Sequence, residues 1–123
     1  MKKIITICTA LVLTASALSA QEKTSNTFMQ ITTVESVVNA GIGRSRMIIT
    51  KEDGSQEEKE LNNLFSIAGI NFKNIKENET NLITTLKSYT DKGWKLVSAT
   101  PLTLSPNEAG NGIFLTRYLL AKQ

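Results

Sequence analysis

The sequence predicts an α+β domain: one antiparallel four-stranded sheet with a single main helix packed on one face, in the order β-hairpin, helix, β-hairpin. Three observations predict it. Stretches rich in β-branched and apolar residues flank segments rich in glycine and asparagine, as hairpins require. A stretch in the second half repeats apolar residues at three- and four-residue steps. That stretch stops at a glycine followed directly by strand-like sequence, which places the helix between the two hairpins.

Before the domain comes an export signal. Lys2 and Lys3 precede an uncharged run from Ile4 to Leu18, and small residues follow at Ala15, Ser16, Ala17, Ser19 and Ala20. This is the three-part layout of a secretory signal, and the run is shorter than the ~20 residues a spanning helix needs. Cleavage after Ala20 is expected, because polar sequence begins at Gln21. Residues 1–20 are thus read as signal peptide, 21–27 as a disordered tether and 28–123 as one domain. The only cysteine, Cys8, leaves with the signal, and the chain has no histidine. Disulfides are then impossible, and the fold must rest on its hydrophobic core. Of the 14 basic residues Lys2 and Lys3 also leave, so the remainder exceed the 11 acidic ones by one. So even a balance gives no electrostatic case for nucleic acid. No second apolar run of spanning length follows, so no stable membrane insertion is expected after signal removal.

The first strand is read from Phe28 to Val38, where Ile31, Thr32, Thr33, Val34, Val37 and Val38 are β-branched. Gly41 and Gly43 allow a tight reversal, and Arg44 to Lys51 forms the second strand of a hairpin. Asp53-Gly54 is a strong turn signal. Gln56 to Glu60 is either a solvated loop or a short charged edge strand. In the segment Leu61 to Phe72, Leu61, Leu64, Phe65 and Ala68 fit a short helix ending near Gly69, with an irregular buried segment as the alternative. The main helix is predicted from about Glu79 to Lys92, with Asn78 as N-cap and Leu82, Ile83, Leu86 and Tyr89 as its apolar stripe. Lys92 and Gly93 stop it. Trp94 to Leu102 is the third strand, Ser105 to Gly112 a loop, and Ile113 to Lys122 a central fourth strand.

The residues Lys92-Gly93-Trp94-Lys95-Leu96-Val97-Ser98 after a helix, and the closing Thr116-Arg117-Tyr118-Leu119-Leu120-Ala121-Lys122, resemble small bacterial proteins of the uncharacterised domain-of-unknown-function 4177 family. The resemblance covers about residues 80–122, and the longer first half looks like an exported Gram-negative variant. It implies a fold and no activity.

Chemistry is sparse. Nucleophilic catalysis leans on Ser or Cys with a histidine base, and zinc or copper on Cys and His. The exported chain has neither Cys nor His, and no serine is followed three residues later by lysine. Glu52-Asp53, or Asn107, Glu108 and Asn111, match no known calcium loop. No cofactor, metal or catalytic residue is therefore assigned, and the chain is read as not an enzyme. Candidate ligand-binding residues are Arg44, Arg46 and Arg117. Arg44 and Arg46 either flank an anion nest at Gly41-Ile42-Gly43 or shield an edge strand. Arg117 either pairs with an acid such as Glu35 or lies on an open sheet face. Trp94 is a core-edge aromatic or an exposed recognition aromatic. Asn78-Glu79-Thr80 spells a glycosylation sequon and is read as a helix cap.

The first strand carries apolar or β-branched residues on both faces: Met29, Ile31 and Val37 on one, Thr32, Val34 and Val38 on the other. One helix cannot cover both. The preferred reading is an exported, periplasmic or secreted, non-enzymatic module that binds an envelope protein or forms a homodimer. A small anionic-ligand-binding protein is the alternative, and a carboxylate-only hydrolase the third.

Overall fold

The structure is a computed structural model that describes residues 26–37, 44–104 and 112–123. The predicted signal peptide, the glycine reversal at 41–43 and most of the 105–112 loop lie outside the described residues. β1 spans Thr27–Val37, β2 Arg46–Thr50 and β3 Gln56–Glu60. β4 (Phe65–Ser66) and β5 (Gly69–Ile70) form a small hairpin. The helix α1 spans Phe72–Thr90, and β6 (Lys95–Leu104) and β7 (Gly112–Lys122) close the chain. The main sheet is antiparallel throughout, in the order β3-β2-β1-β7-β6.

The α+β class, the antiparallel sheet and the single helix agree with the sequence. The strand number and the order do not: the sheet has five strands, because Gln56–Glu60 takes its charged edge-strand form on β2, and three sheet strands and a second small hairpin precede the helix where one hairpin was expected. The short helix expected across Leu61–Phe72 is instead the β4–β5 hairpin. Gly69 at φ +105° supplies a backbone conformation outside the helical region, and Asn71 N–H closes the hairpin on Leu64 O at 2.9 Å. Thr27, assigned to the tether, opens β1 with its backbone opposite Lys122.

The helix starts two turns before the predicted Asn78. Asn71 is the N-cap: its side chain accepts the Asn74 N–H at 3.1 Å. Asn71 and Asn78 are seven residues apart, two turns, so they lie on the same side of the helix. Asn78 is therefore a buried, sheet-facing residue. Its Oδ1 accepts the Asn62 N–H at 2.8 Å, and its Nδ2 donates to Asn62 O at 2.8 Å and to Glu35 Oε1 at 3.1 Å. One side chain thus ties α1 to β1 and to the segment after β3. At the other end Gly93, at φ +90°, turns the chain, and the Trp94 N–H reaches back to Tyr89 O at 3.2 Å.

The core lies between α1 and one sheet face: Met29, Ile31, Met47, Ile49, Leu61, Trp94 and Leu120, with Leu82, Leu86, Tyr89 and Tyr118 packed against it. Period two fixes that face, since Met29 pairs with Leu120, Ile31 with Tyr118 and Ile49, and Thr33 with Met47. Ile83, expected in the stripe, is exposed instead. At 100° per residue it sits a quarter-turn round from Leu82, on the flank of the helix.

Candidate functional site

Strands in a sheet lie about 4.8 Å apart, and a helix with its side chains is about 10 Å wide. One helix therefore covers about two strands. The hydrogen bonds place it: Lys59 on β3 donates to Thr85 Oγ1 at 3.3 Å, and Asn78 to Glu35 on β1. The helix lies toward the β1–β2–β3 side, its core reaches Leu120 and Tyr118 on β7, and β6 is left bare.

All ten residues of β6 are exposed, on both faces. Among the described residues, Leu96, Val97, Leu102, Leu104, Ile113 and Phe114 are exposed large hydrophobics on β6 and β7, with Leu104 at 66% of its full accessibility. On the face away from the helix the register lines up apolar rows that end at the β6 edge. Val34 pairs with Leu115 and Leu115 with Leu102, while Ile113 pairs with Leu104. At the same end of the molecule the β4–β5 hairpin carries Ile67, 93% exposed, beside exposed Ile70 and Phe72. The Leu64 N–H holds this hairpin to Ser36 O at 3.2 Å, and Ser36 pairs with Ile113. Exposed apolar rows of this kind mark an interaction surface.

The predicted site residues are not brought together. Arg44 is exposed just before β2. Arg46 pairs with Glu58 across β2–β3, both half exposed, so its charge has a partner on its own sheet. Arg117 lies exposed on the open face, opposite Thr32 and Thr100. Glu35 is held by Asn78 on the other face, and among the described residues Arg117 makes no ion pair. Arg46 and Arg117 share a face but stand two strands apart. Trp94 is 8% exposed and belongs to the core, so its ring offers no recognition surface.

Concave space elsewhere gives little chemistry. A depression of about 410 Å³ near the end of α1 is rimmed by Lys51, Lys92, Glu52, Asp53 and Glu57. Its ammonium groups are outnumbered by carboxylates, which disfavours an anion. Lys92 also sits 5.5 Å from the Tyr89 ring centre. Asp53 is held below the ordinary carboxylate range by the hydroxyl and backbone N–H of Ser55, a turn-stabilising arrangement. Among the described residues no cluster of three or more potential metal ligands occurs, and no helix is long and apolar enough to cross a membrane.

The surface residues Leu102, Leu104, Ile113 and Phe114 were not singled out by sequence. Their signal is the uncharged run from Leu96 to Leu104 and the apolar start of the strand at Ile113-Phe114, both of which read equally as buried strand. No family model, curated protein or solved structure matches this chain. The resemblance across residues 80–122 to the domain-of-unknown-function 4177 family rests on its short motif alone.

Proposed function

We propose that this chain is an exported, non-enzymatic module that acts by binding protein through the bare half of its sheet. One observation carries the reading: six large hydrophobic side chains stand exposed on β6 and at the start of β7, where Ile113 and Phe114 lie. Large exposed apolar patches on soluble proteins commonly mark interaction surfaces. The absence of Cys and His from residues 21–123 and the layout of residues 1–20 support the non-enzymatic and exported parts. A small-anion site has less support, since the Arg46 guanidinium is already paired and Arg117 stands apart from it.

Photocrosslinking in intact cells tests this. A photoreactive residue at Leu104 is expected to give discrete protein adducts, and one at Lys76 on the outer face of α1 none. Equal labelling from both positions, or none from Leu104, contradicts the reading.

A further inference from the structure

The two edges of the sheet differ in whether they accept another strand. β3 reads Gln-Glu-Glu-Lys-Glu, and pairing with a copy of itself sets carboxylates against carboxylates. β6 carries one charge, Lys95, at its start, and none from Leu96 to Leu104. Its one guard is Pro101. A proline within a strand is tolerated where its missing N–H faces away from the neighbouring strand. Pro101 pairs with Thr116, so it and its like-facing neighbours Ala99 and Thr103 direct their backbone groups away from β7 and out of the sheet. The open edge thus offers the N–H groups of Ala99 and Thr103 and the carbonyls of Ala99, Pro101 and Thr103.

One antiparallel register uses every one of those donors. With Pro101 opposite Pro101 of a second copy, Ala99 of each copy faces Thr103 of the other, and the pair exchanges both hydrogen bonds. Shifting the register by two residues puts an N–H donor opposite a proline that returns none. In the Pro101-centred register Leu102 of each copy lies diagonally across the two-fold axis from Leu102 of the other, within reach for long side chains. The row Val34–Leu115–Leu102, which otherwise stops at the edge, then continues into the same row of the second copy. The two Lys95 residues fall beyond opposite ends of the paired segment. Packing the helix-bearing faces together is disfavoured by comparison: it would bury the outer side of α1, where Lys87 lies opposite Asn78 and is exposed with Lys73 and Lys76.

We infer that two copies of this chain associate edge to edge through β6, antiparallel and centred on Pro101, to give a continuous ten-stranded sheet with the two helices on the same face. The inference rests on the interaction-module reading and names its partner as a second copy. In this register Ser98 to Leu104 of each copy overlap, an edge about 23 Å long at ~3.3 Å per residue. That contact is smaller than the ~800 Å² per partner of a standard interface, so association in the micromolar range is expected.

The test uses the full chain carrying Cys8→Ser. Light scattering across a concentration series is expected to show a monomer–dimer equilibrium, and Ala99→Pro with Thr103→Pro to weaken it at least tenfold. Those changes remove only outward-facing donors, so the thermal transition should remain cooperative. Because the prolines could still distort β6, a second measurement avoids them. A mixture of Ala99→Cys and Thr103→Cys chains, joined by a short bis-maleimide, should crosslink several-fold more than either chain alone. A wild-type monomer throughout, crosslinking no greater in the mixture, or a dimer abolished by Leu115→Lys but untouched by the prolines would each overturn the inference. If the wild-type chain is monomeric while Leu104 still photocrosslinks a different protein in cells, this inference fails and the interaction-module reading stands.

Discussion

β3 and β6 are the two edges of one sheet, and every residue of each is exposed. β3 is short, and four of its five residues are charged. β2 supplies two ion pairs toward it, Arg46–Glu58 and, from the end of the strand, Lys51–Glu57 at 3.7 Å. β6 is twice as long, has one charge, and leaves leucines standing on both faces. The same exposure therefore has two physical meanings. Charge on β3 makes exposure the settled state of that edge. On β6 nothing but Pro101 opposes another strand, and exposure leaves apolar surface in water. The helix reinforces the contrast, because Thr85 takes a hydrogen bond from Lys59 on β3 and Asn78 ties it to β1.

The largest expected effect separates the covered from the bare half. Ile31→Ala, beneath the helix with no exposed surface, should cost about 2–5 kcal/mol, whereas Leu104→Ala on β6 should stay within about 0.5 kcal/mol in the monomer. Denaturant unfolding at low protein concentration reads both. Equal losses would mean that β6 is packed in the monomer, and the comparison would fail. Asn78→Ala comes next, at about 1–3 kcal/mol, because it strips partners from the Asn62 N–H and carbonyl and from the Glu35 carboxylate. Its effect should appear in hydrogen exchange as faster exchange in α1 with β6 unchanged.

Tyr118 gives a pH-dependent test on the covered face. Burial, then the nearby Glu35 charge, raises its phenol above the ordinary value of 10.0, while Thr116 and Thr33 pull the other way. The folded chain therefore keeps a proton that the unfolded chain has lost, and stability falls as pH rises above 10. Tyr118→Phe should flatten that alkaline decline in a series of thermal melts; an unchanged slope would exclude the phenol as its source. The smallest effect belongs to the guarded edge. Breaking Arg46–Glu58 should cost under about 1 kcal/mol, with less still in high salt, because both partners are half in water. A larger, salt-independent loss would show that this pair does more than guard β3.

Much of this architecture is legible in the residues. The β-branched run of β1 marks a strand with two apolar faces, Asp53-Gly54 marks the β2–β3 turn, and Lys92-Gly93 marks the helix end. The Asp53-Gly54 turn is built as that pair requires, with Gly54 at φ +82°. The less legible elements fail for separate reasons. β3 has no apolar residue, so period two leaves no trace, and only its ladder with β2 makes it a strand. The two-residue strands β4 and β5 are too short to carry a period. The helix start was obscured because Asn71 and Asn78 send the same capping signal two turns apart, and only packing against Glu35 decides between them. For the candidate site, the two-faced β1 already implied an uncovered surface. Its helix-face part, at Leu96 and Phe114, depends on where the helix lies, and Asn78 and Thr85, polar residues that look like surface in sequence, help to set that position.

The most direct measurement of the central claim is amide hydrogen exchange of β6 at low and high micromolar protein. The account predicts that the Ala99 and Thr103 amides, which face outward, gain protection as concentration rises, while the β3 amides do not change. Rapid exchange of both β6 amides at every concentration, or equal gains in β3, would contradict it.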